Sequence, residues 1–416
     1  MLLILAGVSI ATLTGDNGLL TKAQQAKEEN EKAADRDLIA MAVSEAQIGE
    51  NGYQNLDETN FKKALENQLK GRDVQLSDNG DGSFIINLDN MSRMYYVDES
   101  GQVISDENMV KIATAEELKA FRDDVNSGNT YEGWYIYLAN DITLDIHEEW
   151  KTVGIYNSAA TTITDERNTY FSGTFDGCNH DINGIYINTE NRGNGLFGII
   201  KNGTVKNLGI TNSNFIVNHN AGAITGFLQN SKIENCYSNI NITTQGSDLI
   251  NIGGIAGNVL ENSEINNSYS TSTIVASGES SQVGGIVGGI INSAIKNCYN
   301  SGKIEGNEMV GGIAGYSNNC FIYNCYNSNN IKGILNVGSI VGLVANKGVQ
   351  ITNCYYLENT VNGANETEII EGIAVKTGEQ LKKLADALGE AFKEDINTIN
   401  NGYPILEWQH DPTMEN

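Results

Sequence analysis

Four histidines, His147, His180, His219 and His410, are the natural starting points for acid–base or metal chemistry, and none stands at a ligand spacing such as HxxxH. His180 lies beside Asp176 and Asp181, where an imidazole flanked by carboxylates could pass a proton as a general acid or base. The same residues also make an ordinary polar turn, and that is the preferred reading. Six cysteines stand at 178, 236, 298, 320, 325 and 354, with no CxxC pair of the kind that holds zinc. No Gly-Lys-Ser/Thr sequence marks a nucleotide phosphate loop. Asp78–Ser83 lacks the alternating carboxylates and closing glutamate of a calcium loop and reads as a hairpin turn. No catalytic residue, cofactor site or metal site is assigned.

One further set has the right chemistry for contact. Tyr237, Tyr269, Tyr299, Tyr326 and Tyr355 recur at one position of a repeat and form a stripe. Facing outward, such rings could stack on sugars or on another chain; facing inward or along an edge, they are packing. Packing is the preferred reading, and a ligand-facing stripe is kept beside it.

The repeat that positions these tyrosines organises the chain. Gly195-Leu-Phe-Gly198 is followed by Gly222-Ala-Ile-Thr-Gly226, Gly254-Ile-Ala-Gly257, Gly285-Ile-Val-Gly288, Gly312-Ile-Ala-Gly315 and Ser339-Ile-Val-Gly342, with the closing glycines 28, 31, 31, 27 and 27 residues apart. A second phrase trails each: Ile233-Glu-Asn235-Cys236-Tyr237, Ile265-Asn-Asn-Ser-Tyr269, Ile295-Lys-Asn297-Cys298-Tyr299, Ile322-Tyr-Asn324-Cys325-Tyr326 and Ile351-Thr-Asn353-Cys354-Tyr355. Its first copy, Val205-Lys-Asn-Leu-Gly209, is degenerate. A third anchor follows five residues on, at Ile242, Ile274, Ile304 and Ile331. A fixed period of this size, with short β-type runs and no helix-length stretch, marks a stacked β-coil whose copies bury a core only together.

Stacking explains the repeated types. The glycines are expected to supply tight corners or left-handed backbone. The asparagines are expected to bond the asparagines above and below. The cysteines of the shared slot read as a ladder of buried thiols, since a coil rise of ~4.8 Å exceeds the Cβ separation of a disulfide.

The expected fold is therefore mainly β, a parallel β-helix or solenoid of 27–31-residue coils with helical caps. The expected boundaries are 1–48, an apolar anchor and long helix; 49–103, a small α+β unit; 104–190, a cap helix and irregular first coils; 191–364, the repeats; and 365–416, a closing cap. Thr114-Ala-Glu-Glu117 and Thr377-Gly-Glu-Gln380 are capping boxes that open the two cap helices. A further helix starts at the N-cap Asp57, with Phe61, Leu65 and Leu69 on one face. The formal charge of −26 excludes nucleic acid as a partner, because phosphates need lysine and arginine.

At the N-terminus, Met1-Leu-Leu-Ile-Leu-Ala-Gly-Val-Ser-Ile-Ala-Thr-Leu13 is apolar but shorter than the ~20 residues of a full span. A break at Thr14–Gly18 and a polar helical run from Leu19 to about Gln47 follow it. This segment resembles the start of type IV pilin-like proteins of Gram-positive, clostridia-type bacteria. The resemblance implies a transmembrane anchor and pilus or other surface subunits as partners. The basic leader and prepilin-peptidase site of that family are not in the sequence, as expected of a late start or a truncation.

The repeats resemble the GLUG motif, which Gly195-Leu-Phe-Gly198 matches literally while later copies place Ile for Leu. That resemblance implies a secreted or wall-associated protein; the motif occurs in adhesins and in some immunoglobulin-A peptidases. The expected function is a non-enzymatic, cell-surface adhesive or structural module that meets host or environmental glycans or proteins. The alternatives are a polysaccharide-binding or polysaccharide-cleaving β-helix and the accessory repeat region of a surface peptidase system. A lyase site of clustered carboxylates with a base is not visible, because Glu234, Asp248, Glu264, Glu305 and Glu308 fall at differing offsets.

Overall fold

The computed structural model describes residues 19–409, apart from 50–51, 54, 80–81, 91, 246–249, 279–280, 347, 360 and 363–370. The chain forms two compact units, one ending at Met109 and one beginning at Val110. The apolar run Met1–Leu13, expected as an anchor, lies outside the described residues. Among the described residues, no helix is long and apolar enough to cross a membrane.

The first unit is built on the helix Leu19–Gln47. Only its later part carries an apolar face, where Ile39, Ala42, Val43 and Ala46 are buried at helical spacing. They pack with Phe61 and Leu65 of the helix Glu58–Gln68, which Asp57 caps as expected, and with Phe84, Ile86 and Tyr95. The latter belong to an antiparallel sheet of Val74–Asp78, Phe84–Leu88, Arg93–Val97 and Val103–Ser105. The buried Asp35 ties helix to sheet, with Arg72 at 2.7 Å and Arg93 at 2.6 Å. Burial alone would raise the pKa of this carboxyl; the two guanidinium hydrogen bonds outweigh it and hold it below the ordinary value.

The second unit is the parallel β-solenoid. One six-stranded sheet stacks Phe197–Lys201, Thr225–Gln229, Ala256–Leu260, Val287–Ile291, Ala314–Asn318 and Val341–Val344. A four-stranded sheet stacks Ile250–Gly253, Ser281–Gly284, Glu308–Gly311 and Leu335–Gly338. The remaining strands of each coil close the cross-section. Register is kept from coil to coil: Ile233 pairs with Ile265, then Ile295, Ile322 and Ile351, and Ile242 with Ile274, Ile304 and Ile331. These columns are buried and form the spine of the core.

The repeated residues divide the work differently from the expectation for glycine. The closing glycines Gly198, Gly226, Gly257, Gly288, Gly315 and Gly342 are not left-handed. They are small because another stretch of backbone passes over them: a Cβ on Gly226 would lie 2.3 Å from the Cα of Gly193, and one on Gly315 2.3 Å from the nitrogen of Val283. The left-handed corners belong to asparagine, with φ of 51° at Asn235, 53° at Asn297, 53° at Asn324 and 55° at Asn353. Their amides bond between coils: Asn297 to Asn267 at 2.9 Å, Asn324 to Asn297 at 3.1 Å and Asn353 to Asn324 at 2.9 Å. A second left-handed column, Asn202, Asn230, Asn262, Asn292 and Asn319, was not read from the sequence.

All six cysteines are free. In the shared slot, Cys236, Cys298, Cys325 and Cys354 point their thiols at the carbonyl oxygen two residues back, and Ser268 does the same with its hydroxyl. The slot thus selects a small donor that closes the asparagine corner.

The helix Ala115–Asn126 opens with the expected capping box at Thr114. Its Phe121 ring lies 5.7 Å from Phe171 and 5.8 Å from Phe175, which covers the first coils. The C-terminal segment differs from the expected closing cap. Gly378–Leu381 and Ala385–Leu388 are two short helical pieces, and Phe392–Lys393 pairs with Ile405–Leu406. This segment runs along the flank of the solenoid, over the tyrosines, because their stacked rings offer its leucines a continuous apolar surface.

Candidate functional site

The tyrosine stripe faces out from the coil and is then covered. Tyr237, Tyr269, Tyr299 and Tyr326 stack at centroid spacings of 5.1, 4.8 and 5.0 Å with planes within 8° of parallel. The backbone imposes this face-to-face geometry, since coils rise by the inter-strand distance. Leu381, Leu384, Leu388, Phe392 and Leu406 lie on the rings, and Tyr299 and Tyr326 are fully buried. The hydroxyl of Tyr299 donates to Gln409 Oε1 at 2.9 Å, and that of Tyr326 to the carbonyl oxygen of Pro404. A stripe open to ligand along its length is therefore not what the chain presents. Tyr237 and Tyr355, at its two ends, keep partial exposure.

The end at Tyr237 is where the structure opens. Register places Gly209 on Tyr237 and Asp181 on Gly209, so the column reads Asp181, Gly209, Tyr237, Tyr269, Tyr299, Tyr326, Tyr355. Gly209 belongs to the degenerate first copy, and beside it lies a cavity of about 120 Å³ lined by Asn179, Asn207, Leu208, Gly209, Tyr237, Tyr269, Trp408 and Gln409. The Tyr237 hydroxyl donates to Asp181 Oδ1 at 2.6 Å, across the glycine. A Cβ on Gly209 would stand 2.1 Å from that same oxygen and 2.5 Å from the Tyr237 ring. Trp408 is pinned by its indole N–H on the carbonyl oxygen of Asn267 at 2.8 Å, and its ring lies 6.4 Å from Tyr237.

Burial pushes the Asp181 carboxyl up from its ordinary value, against the lowering effect of the Tyr237 hydrogen bond; the Asp141 charge adds to the rise. Burial, then the Asp181 carboxylate, raise the Tyr237 phenol. The cleft itself offers the aromatic surfaces of Tyr237, Tyr269 and Trp408 and the amides of Asn179, Asn207 and Gln409.

A shift of register between Asp176 and His180 creates the arrangement. Cys178 and Asn179 are left-handed there, with φ of 50° and 64°. The shift separates the residues that sequence proximity grouped. Asp176 turns into the interior, accepting from Tyr135 at 2.9 Å, Asn207 at 3.1 Å and the backbone N–H of Cys178 at 2.8 Å, with Lys206 Nζ at 3.6 Å. Burial, then the charge of Asp176, push the Cys178 thiol up to about 12. His180 stays at the surface and pairs through Nδ1 with Asp141 Oδ1 at 3.0 Å, a partner that sequence did not suggest. His147 is exposed and distant in sequence, and His410 lies outside the described residues. Among the described residues, no group of three or more His, Cys, Asp or Glu could hold a metal ion. The signal that could have marked the cleft was in the repeat itself: the one copy that puts glycine where every later copy puts tyrosine.

The family profile of the GLUG motif matches residues 279–305, one coil of the solenoid. Among solved structures, the chain is similar to a crystal structure from Bacteroides ovatus named "putative immunoglobulin A1 protease", at 25% identity over 73% of this chain and 94% of that chain, with a TM-score of 0.57. A second structure, named "IgA1 Protease", aligns at 15% identity over 73% of this chain and 24% of that chain, with a TM-score of 0.39. No curated protein matches the sequence. The expectation of a non-enzymatic protein is overturned by the first of these likenesses, which runs along nearly the whole of a chain bearing a protease's name.

Proposed function

We propose that this protein works outside the cell, as the β-solenoid of a surface peptidase system that engages an immunoglobulin-type glycoprotein. The observation that carries the reading is the likeness to the Bacteroides ovatus chain, 94% of which is covered by the alignment. The GLUG coil at 279–305 supports a surface location. The test is incubation of the full chain with human immunoglobulin A1, with binding read by surface plasmon resonance and cleavage by mass spectrometry of the heavy chain. Saturable binding accompanied by discrete heavy-chain fragments is expected; neither binding nor fragments, over a range of pH, overturns the proposal.

Attachment to the envelope, with other surface subunits as neighbours, belongs to the same reading. The apolar run Met1–Leu13 ahead of a long, mostly exposed helix supports it. Cell fractionation checks it: recovery of the full-length chain wholly from the cytoplasm removes the surface location and the function with it.

A further inference from the structure

We propose that the cleft lined by Tyr237, Tyr269 and Trp408 is a subsite for one neutral pyranose ring of a glycan. Such a subsite depends on the geometry of the cleft and not on any action of the chain on immunoglobulin.

The cavity lies at the end of the ladder and is bordered by Tyr237, Tyr269 and Trp408, while the position above Gly209 itself is taken by the Tyr237 ring and the Asp181 carboxylate. At about 120 Å³ the cavity is several times the ~10–15 Å³ that a single water needs. Its walls are of two kinds. Tyr237, Tyr269, Trp408 and Leu208 give an apolar surface. The amides of Asn179, Asn207 and Gln409 give a polar edge. A pyranose has the matching pair of surfaces, a C–H face that lies on an aromatic ring and a rim of hydroxyls that both donate and accept. A purely aromatic guest would cover those amides without bonding them, which is costly for polar groups removed from water. An anionic sugar would lie close to Asp181, which Tyr237 bonds, and to Asp141 beside it, in a chain of net charge −26.

The walls are also fixed before any ligand arrives. Tyr237 is held by Asp181 at 2.6 Å and stacked on Tyr269, and Trp408 is held by Asn267 at 2.8 Å. A preformed cleft loses little side-chain freedom on binding.

The test titrates the full chain with neutral sugars (galactose, N-acetylgalactosamine, glucose, mannose and their short oligomers) and with galacturonate and sialyllactose, read by saturation-transfer NMR and by tryptophan fluorescence. A neutral sugar is expected to saturate the protein and to shift the fluorescence. Trp408→Ala should weaken binding at least tenfold. The conservative Trp408→Phe keeps an aromatic wall and should retain most of the binding, and circular dichroism will report that the coils stay folded in both variants. Absence of binding by every neutral sugar, preference for the acidic sugars, or undiminished binding in the folded Trp408→Ala variant overturns the proposal.

Discussion

The coils from Gly222 to Tyr355 and those before them share one winding and differ in how their side chains are satisfied. In the later coils each slot repeats, and like residues bond like: tyrosine stacks on tyrosine, and asparagine corners bond asparagine corners. Such columns consume their own hydrogen-bonding capacity and leave little for a ligand. In the earlier coils the same columns run into unlike residues. Asp181 and Gly209 stand in the tyrosine column, Leu208 in the thiol slot, and Asp176 and Lys206 form a buried ion pair. A solenoid thus separates stability from recognition along its axis: repetition makes the rod, and departures from repetition make sites.

The largest effect should come from breaking a regular column at its most covered point. Tyr299→Ala removes a fully buried ring from between Tyr269 and Tyr326 and leaves the Gln409 amide oxygen without its donor. A loss of about 3–5 kcal/mol in urea unfolding is expected, from the cost of emptying an aromatic site in a core. Because the C-terminal segment rests on the same ring, proteolysis in the native state should begin between residues 376 and 409. If Tyr237→Ala proves as destabilising as Tyr299→Ala, the contrast between the two regions fails.

The regular region was legible for the same reason that it is stable. Ile233, Ile265 and Ile295 share an offset in sequence and therefore a column in space. The cysteine slot likewise followed from the shared offset of Cys236, Cys298, Cys325 and Cys354. The site was less legible because it depends on a register shift, and no local pattern around Asp176, Cys178 and His180 says which of them turns inward. The flank-bound C-terminal segment was missed for a different reason. Capping boxes and leucine spacing announce helices but not the surface on which they come to rest, and the tyrosine facing had to be known first. The glycines show the limit of reasoning by type: Gly226 and Gly315 are small for close approach, while the left-handed corners fall to asparagine.

An intermediate effect separates those two roles. Asn324→Ala loses the amide links to Asn297 and Asn353 and forces an alanine to φ 53°. The left-handed cost of ~1–2 kcal/mol joins the lost hydrogen bonds, each worth roughly 0.5–1.5 kcal/mol. Asn324→Gly removes only the bonds. The difference between the two variants in thermal or urea unfolding therefore measures the backbone term by itself, and equal losses would refute the corner assignment.

In the irregular region the informative variable is pH. The Asp181 carboxyl titrates above its ordinary value in the folded protein. Between an unfolded value of ~3.9 and that raised value, the folded state holds more protons than the unfolded one. Its contribution to stability therefore falls as pH rises through the window and levels off above it. Asp181→Asn lacks this slope, so the stability of the wild type relative to the variant should decline from about pH 4 upward. A flat difference would mean that Asp181 is not desolvated at the cleft.

The smallest effect tests whether the regular slots are as interchangeable as the repeat implies. Cys298 donates its thiol to the carbonyl oxygen of Lys296 at 3.1 Å, and Ser268 donates its hydroxyl to that of Asn266 at 2.8 Å in the coil before. Cys298→Ser exchanges a weak donor for a stronger one of similar size, at the loss of some apolar burial, and should change stability by less than about 1 kcal/mol. Cys298→Ala keeps the small volume and deletes the donor, leaving the Lys296 carbonyl at a corner without it, and should cost more than the serine variant. That ordering, serine above alanine, separates a slot chosen for its hydrogen bond from one chosen for apolar filling. The reverse ordering would make the column a hydrophobic ladder, with serine at 268 only tolerated.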